Sequence, residues 1–299
     1  MPSLRLPTRR LAFAGLAISG LLAIGGSVGQ AADPFVAGGR STRPLPLAAD
    51  DLARARARGQ ALAEALGLPG VSGRVERVED RFEHRTYDEV TLADGRGRDV
   101  AITRIEPGGS VAMAVSLGWR PSGGRSVDGP AAANRAAVLA RAAGLTPAGA
   151  PGVRSSAGAG GWSVTWQRTV DGVAVRGDGL RISLWPDGTL HGLTRTERQL
   201  AAAPGRPIDA ATARAAAVAV VAARSRGTGG DLAITAVEQA WVAPNDTLGG
   251  ARLDAPAETL RLAWAVRFEA QGALAERLRS VEVWIDAGDG HLLGGDVVE

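Results

Sequence analysis

The chain of 299 residues contains no cysteine and no lysine, three histidines and a single tyrosine. Without cysteine it has no disulfide, no thiolate nucleophile and no zinc-thiolate centre. A zinc peptidase needs two histidines four apart on one helix face with a glutamate between them, whereas His84, His191 and His291 lie roughly 100 residues apart. Glu83 and His84 fall in a charged segment and read as a solvated strand or turn, and His191 and His291 each follow an Asp-Gly turn, which reads as a structural position. No G-x-S-x-G elbow is present, and Ser155 and Ser156 lie in a glycine-rich stretch that offers nothing to preorganise a nucleophile. Asp286, Asp289 and Gly290 lack the D-x-D-x-D-G spacing and distal glutamate of a calcium loop, so they read as an Asp-stabilised turn. Gly177-Asp178-Gly179 opens no helix and reads as a hairpin turn rather than a phosphate loop. No catalytic residue, no metal and no cofactor is expected.

The first 32 residues carry Arg5, Arg9 and Arg10, then an apolar run from Leu11 to Val28, then small residues at Gly29, Ala31 and Ala32 before Asp33. This pattern predicts a signal peptide over residues 1–32. The run is also at the short limit of a membrane span, so an uncleaved anchor is the alternative. Thr8-Arg9-Arg10-Leu11-Ala12-Phe13 fits the twin-arginine export route, with the general secretory route as the other choice. Either way the expected location is secreted or in the cell envelope. The formal charge of +3 belongs to the leader: removing its three arginines from 34 basic residues leaves 31 against 31 acidic ones. A basic stripe is the electrostatic footprint of nucleic-acid binding, and a chain near neutrality gives no reason to expect it.

Three Ala-rich helical segments begin near Asp51, Pro130 and Asp209, about 80 residues apart. The first, Asp51 to Leu66, has acidic residues at its start and Gly67 then Pro69 at its end. The second, Ala131 to Ala143, starts after Pro130 and exits at Gly144-Leu145, and the third, Ala210 to Arg224, follows Ile208-Asp209, a hydrophobic residue and an N-cap acceptor. Strand-like alternation after each helix ends in an Asp-Gly turn: Val90 to Gly95, Ile182 to Gly188 and Val283 to Gly290. The expected fold is α+β, tandem units of a curled antiparallel sheet packed on an Ala-rich helix. Thr146 to Gly161, dense in glycine, proline, serine and alanine, reads as a flexible linker. It separates an N-terminal α+β domain at 33–145, a candidate degenerate repeat, from a domain at 162–299. A second loop runs from Ala243 to Pro256, and its sequon Asn245-Asp246-Thr247 reads as a turn.

The best-patterned stretch is WSVTWQRTVDGVAVRGDGLRISLWPDGTL from Trp162 to Leu190, followed by LRLAWAVRFE and SVEVWIDAGDGHLL. Leu260, Leu262, Trp264, Val266 and Phe268 alternate as one buried face of an antiparallel sheet, and Asp171-Gly172 is a dipeptide that tight hairpins prefer. From Trp162 to Val298 these segments resemble the PepSY domains and the propeptides of thermolysin-type metallopeptidases. The resemblance implies a PepSY/cystatin-like fold and a stand-alone, non-catalytic module whose partner is a protein, a secreted metallopeptidase that it restrains or assists. An envelope interaction or scaffold protein with no peptidase partner is the alternative. Residues matching the pattern are Asp171, Gly172, Gly177, Asp178, Gly179, Asp286, Gly290 and Leu292, and their roles are in shaping turns. Trp162, Trp166, Trp241 and Trp264 stand in alternating strands and are expected to pack against helices. Trp185 and Trp284 have the opposite parity, which predicts an outer sheet face and makes them the candidate binding residues.

Overall fold

The computed structural model describes residues 42–80, 85–118, 124–155, 161–224, 231–251 and 259–298. The expected signal peptide at 1–32 and the reading of His84 lie outside the described residues. The N-terminal half contains β1 (Thr42–Leu45), α1 (Ala49–Leu66), β2 (Val71–Asp80), β3 (Arg85–Ala93), β4 (Asp99–Ile105), β5 (Val111–Ser116) and α2 (Gly129–Ala142). The remainder contains β6 (Gly152–Ser155), β7 (Trp162–Val170), β8 (Val173–Leu184), β9 (Leu190–Thr196), β10 (Gln199–Leu200), α3 (Ala210–Arg224), β11 (Leu232–Val242), β12 (Thr259–Ala270), a 3-10 turn (Gly272–Glu276), β13 (Ser280–Asp286) and β14 (Leu292–Val298).

The helices start and stop where local chemistry directs. Asp128 Oδ1 accepts the Ala131 N–H at 2.9 Å ahead of α2, and Asp209 Oδ1 accepts the Thr212 N–H at 2.7 Å ahead of α3. At the other end, Gly67 and Gly144 take positive φ of 67° and 73°, which lets Leu68 N–H reach Ala63 O and Leu145 N–H reach Ala140 O, both at 2.8 Å. Small residues form the faces turned to the sheet: Ala55, Gly59 and Ala63 on α1, Ala132, Ala136 and Ala140 on α2, Ala213 and Ala217 on α3. Close approach follows, and at Gly59 an added Cβ would fall 2.5 Å from Val90 Cγ2.

All 14 strands among the described residues join one mixed sheet, in the order β1-β2-β3-β4-β5-β9-β8-β11-β12-β13-β14. β7 lies on the far side of β8, β6 beyond β7, and β10 against β12. This corrects the expected fold, tandem units of small curled antiparallel sheets each on its own helix. Strand alternation tells which face of a strand is buried and says nothing about which edges meet. Here the edges that would have bounded separate units pair with each other: β5 with β9 through Met113↔Thr194, and β8 with β11, in parallel, through Ala174↔Ala240 and Val175↔Trp241. A sheet closed in this way leaves fewer unpaired edge strands than separate units would. One buried cluster accordingly unites α1, α2 and strands on both sides of the glycine-rich 146–161 stretch, with Leu66, Leu139, Trp166 and Leu193 among its members. Within that stretch, Gly152–Ser155 is strand β6, paired with β7.

Candidate functional site

The residues carrying the family-like pattern build the β7–β8 hairpin. Val170 pairs with Val173 across a two-residue loop in which Asp171 and Gly172 have φ of 51° and 80°. That is the left-handed pair a tight hairpin turn requires, and Asp and Gly supply it at low cost. Gly177-Asp178-Gly179 is not the hairpin turn its composition suggested. It kinks β8 in mid-strand: the register with β7 jumps from Gln167↔Gly179 to Thr169↔Ala174, with φ of 77° at Gly177 and 128° at Gly179. A side chain at position 179 is sterically excluded, since its Cβ would lie 2.1 Å from Trp166 O.

A buried ion cluster fastens this kink. The Asp178 carboxylate, with no exposed side-chain surface, accepts from Arg198 Nε at 2.6 Å, Arg198 N–H at 2.7 Å and Arg168 Nη1 at 3.2 Å. Arg198 also donates to Arg176 O at 2.8 Å, and Arg168 to Arg198 O at 2.9 Å. Past the kink, Arg176 crosses to the C-terminal strands and donates to Glu282 at 3.1 Å, where Arg267 and the Trp284 indole N–H also donate, at 3.0 and 2.9 Å. None of these contacts was legible in the sequence, since the partners of Asp178 and Arg176 lie up to 106 residues away.

Beside the hairpin lies a groove of about 900 Å³. Its floor includes Trp166, Leu180 and Val111, and one wall is the Ala143–Ala150 segment that leaves α2. That segment arches over Trp166, and a second hollow of about 380 Å³ opens on its far side toward Asn134 and Arg141 of α2. β6 covers the outer edge of β7 only at Trp162–Thr165, so from Trp166 to Val170 no strand among the described residues pairs with it. Trp166 O and Arg168 N point at Gly179. By the alternation of a strand, the N–H and C=O of Gln167 therefore point the other way, outward into the groove. Arg195 and Glu197 close one end as an ion pair at 2.7 Å.

The candidate tryptophans stand elsewhere. Trp185 and Trp284 are 6% and 9% exposed, so neither is on an outer face, and this corrects the parity reading. Trp284 lies opposite Ala265 on β12 and Gly294 on β14, in a buried cluster with Ala240, Ala263 and Leu293. Small neighbours let the indole lie down on the sheet. Trp185 begins the turn after β8 and makes a tilted ring contact with His191, ring centres 4.2 Å apart, and its buried indole N–H has no hydrogen-bond partner among the described residues. Trp162 and Trp264 pack toward the helices and use their indole N–H groups alike: each donates at 3.0 Å to the residue before a helix N-cap, Val127 and Ile208. Trp166 joins the helix-facing core, whereas Trp241 packs with Val175 and Leu260 between strands.

Asp286 ends β13, where its Oδ1 accepts from Gly288 and Asp289 N–H at 2.7 and 3.3 Å and its Oδ2 meets Arg261 at 2.7 Å. Gly290 completes the turn at φ 78°, and Leu292 opens β14 against the α3 core. Asn245 is folded onto β14, its amide exchanging two hydrogen bonds with the Gly295 backbone at 3.0 and 3.1 Å. Among the described residues no three His, Asp or Glu side chains gather where they could hold a metal ion, and no helix is long and apolar enough to cross a membrane.

No family model matches this chain, and no curated protein matches it. Among solved structures it is similar to the Bacillus megaterium YpeB C-terminal domain, at 12% identity and a TM-score of 0.48, over 85% of this chain and 98% of that one. A likeness at that level carries no inference about activity or partners.

Proposed function

We propose that the chain is an extracytoplasmic, non-catalytic, PepSY-like module that binds a protein partner, a secreted peptidase that it restrains or assists. The observation that carries this reading is the β7–β8 hairpin. Within the stretch that resembles PepSY domains and metallopeptidase propeptides, β7 and β8 form a hairpin closed by Asp171-Gly172, and the outer edge of β7 from Trp166 to Val170 pairs with no strand among the described residues and lies beside a groove. Main-chain groups offered at a sheet edge serve recognition of another chain, not bond cleavage. The chain starting at Asp33, immobilised and exposed to culture supernatant and envelope extract, is expected to retain a peptidase and, added in solution, to change that peptidase's rate on a peptide substrate. Retention of proteins that include no peptidase, or a peptidase rate unaltered at saturating chain, overturns the reading.

A further inference from the structure

The geometry points to strand addition: an extended, acidic segment of a partner docks along the outer edge of β7 between Trp166 and Val170, under the arch of residues 146–150. This rests on the reading of the chain as a protein-binding module and gives that module its site.

The edge is prepared for such an occupant. The line of β6 runs antiparallel to β7, with Gly152 opposite Thr165. If β6 extended backward, Ala150 would fall opposite Gln167, but the chain instead leaves the sheet before Gly152 to form the arch. The outward N–H and C=O of Gln167 therefore face open groove, and an incoming strand continues the ladder that β6 breaks off. Strand addition draws affinity from these main-chain bonds and selectivity from the pockets that receive alternate side chains. Both kinds of feature are present. Glycines at 108, 109, 144 and 149 keep the walls low, and Trp166 and Leu180, 5% and 6% exposed, form an apolar base beneath.

Charge selects the occupant. Arg168 and Arg195 line the groove and Arg141 lines the adjoining hollow, while Asp178, which Arg168 shares with Arg198, and Glu197 are the carboxylates that meet them. Glu197 is already held by Arg195, and Arg141 on the last turn of α2 makes no ion pair among the described residues. Four arginines, Arg141, Arg168, Arg195 and Arg198, against the two carboxylates Asp178 and Glu197 leave an excess of positive charge, which favours glutamate or aspartate side chains on the incoming strand and disfavours lysine.

The test uses the chain starting at Asp33 and two fluorescein-labelled hexapeptides, one alternating glutamate and valine, the other lysine and valine. The acidic peptide is expected to bind at least tenfold more tightly than the basic one, by fluorescence anisotropy. Gln167→Pro deletes the outward N–H, a change an edge strand tolerates, and is expected to raise the acidic peptide's Kd about tenfold or more. Hydrogen exchange in the unaltered chain adds a reading that does not depend on the variant's folding: saturating acidic peptide is expected to protect the Gln167 amide. Equal binding of the two peptides, unchanged affinity of a folded Gln167→Pro chain, or no protection of that amide each overturns the inference. Retention of a peptidase that Gln167→Pro does not weaken overturns the edge as its site while leaving the functional reading standing. Peptide binding at the edge in a chain that retains no peptidase does the reverse.

Discussion

Asp178 is the residue whose removal the fold should feel most. Its carboxylate is fully buried and bonded to Arg198 through both the guanidinium and the backbone N–H, with Arg168 as a third donor. Asp178→Ala takes the carboxylate away from the Arg198 side chain, 9% exposed, and breaking one partner out of a buried pair costs about 3–5 kcal/mol. Arg168, at 26% exposed, retains access to water and adds little. Asp178→Asn removes the same charge but keeps the shape and an oxygen for the Arg198 N–H, turning an amide donor toward Arg198 Nε, so one bond is lost instead of three and the cost is smaller than alanine's. Urea melts of the two variants and the parent, compared at unchanged m-value, give the order directly. A double-mutant cycle with Arg198→Ala adds the decisive term: the double variant is expected to lose clearly less than the sum of the singles. Strict additivity, or an alanine variant within about 1 kcal/mol of the parent, refutes the argument that this cluster holds the kink.

Gly59→Ala should destabilise although alanine is the better helix former by about 1 kcal/mol. The new methyl would lie 2.5 Å from Val90 Cγ2 and 3.0 Å from Thr103 Oγ1, and overpacking costs about 1–3 kcal/mol; a rise in stability would show that α1 shifts freely on the sheet. Trp162→Phe and Trp264→Phe each forfeit a hydrogen bond that fixes a helix start, whereas Trp185→Phe forfeits none, so the first two should cost about 1 kcal/mol more; equal losses by denaturant melts contradict this. The Asp94 carboxyl is held below the ordinary 3.8, first by the Arg98 backbone N–H, then by the Arg98 side chain and the Arg96 N–H. A depressed folded value means stability present above the ordinary carboxylate range and lost as pH falls through the folded value. The melting-temperature gap between the parent and Asp94→Asn should therefore be widest near neutrality and close in acid; a constant gap would refute the assignment.

What could be read in advance was local chemistry. Asp209 as an N-cap, Gly67 and Gly144 as helix exits, and Asp171-Gly172 as a hairpin turn are each decided within about four residues, and all are found in those roles; Asp128 caps α2 by the same local chemistry. What could not be read depended on partners remote in sequence. Gly-Asp-Gly has the same conformational licence in a turn as in a kinked strand, and only Arg198, 20 residues on, distinguishes the two. Trp284 packs apart from the α3 cluster yet is buried, because parity assigns a face and not its exposure. Ala265 and Gly294 decide that the indole is buried, and they lie on other strands. The groove escaped notice for a related reason. Glycine-rich composition at 146–150 suggests freedom, while the arch it forms is defined by what lies beneath it, Trp166 and the β7 edge.

β8 explains why one sheet forms rather than several. Along its far side it pairs with β7, while on its near side it meets β11 at Ala174 and Val175 and β9 from Gly179 to Leu184. The two neighbours on that side follow one another along β8, and the irregular stretch between them takes positive φ at Gly177 and Gly179 without a steric penalty from Cβ. Asp178 then fixes the bend by drawing Arg198 from the end of β9 and Arg168 from β7 onto one carboxylate. Gly179 lies close against Trp166 O and Arg168 N, and strand alternation then turns the Gln167 backbone outward. The irregular stretch of β8 thus stands at the junction of the two halves and, across β7, opposite Gln167, while the edge beyond Gln167 stays open because β6 leaves the sheet before Gly152.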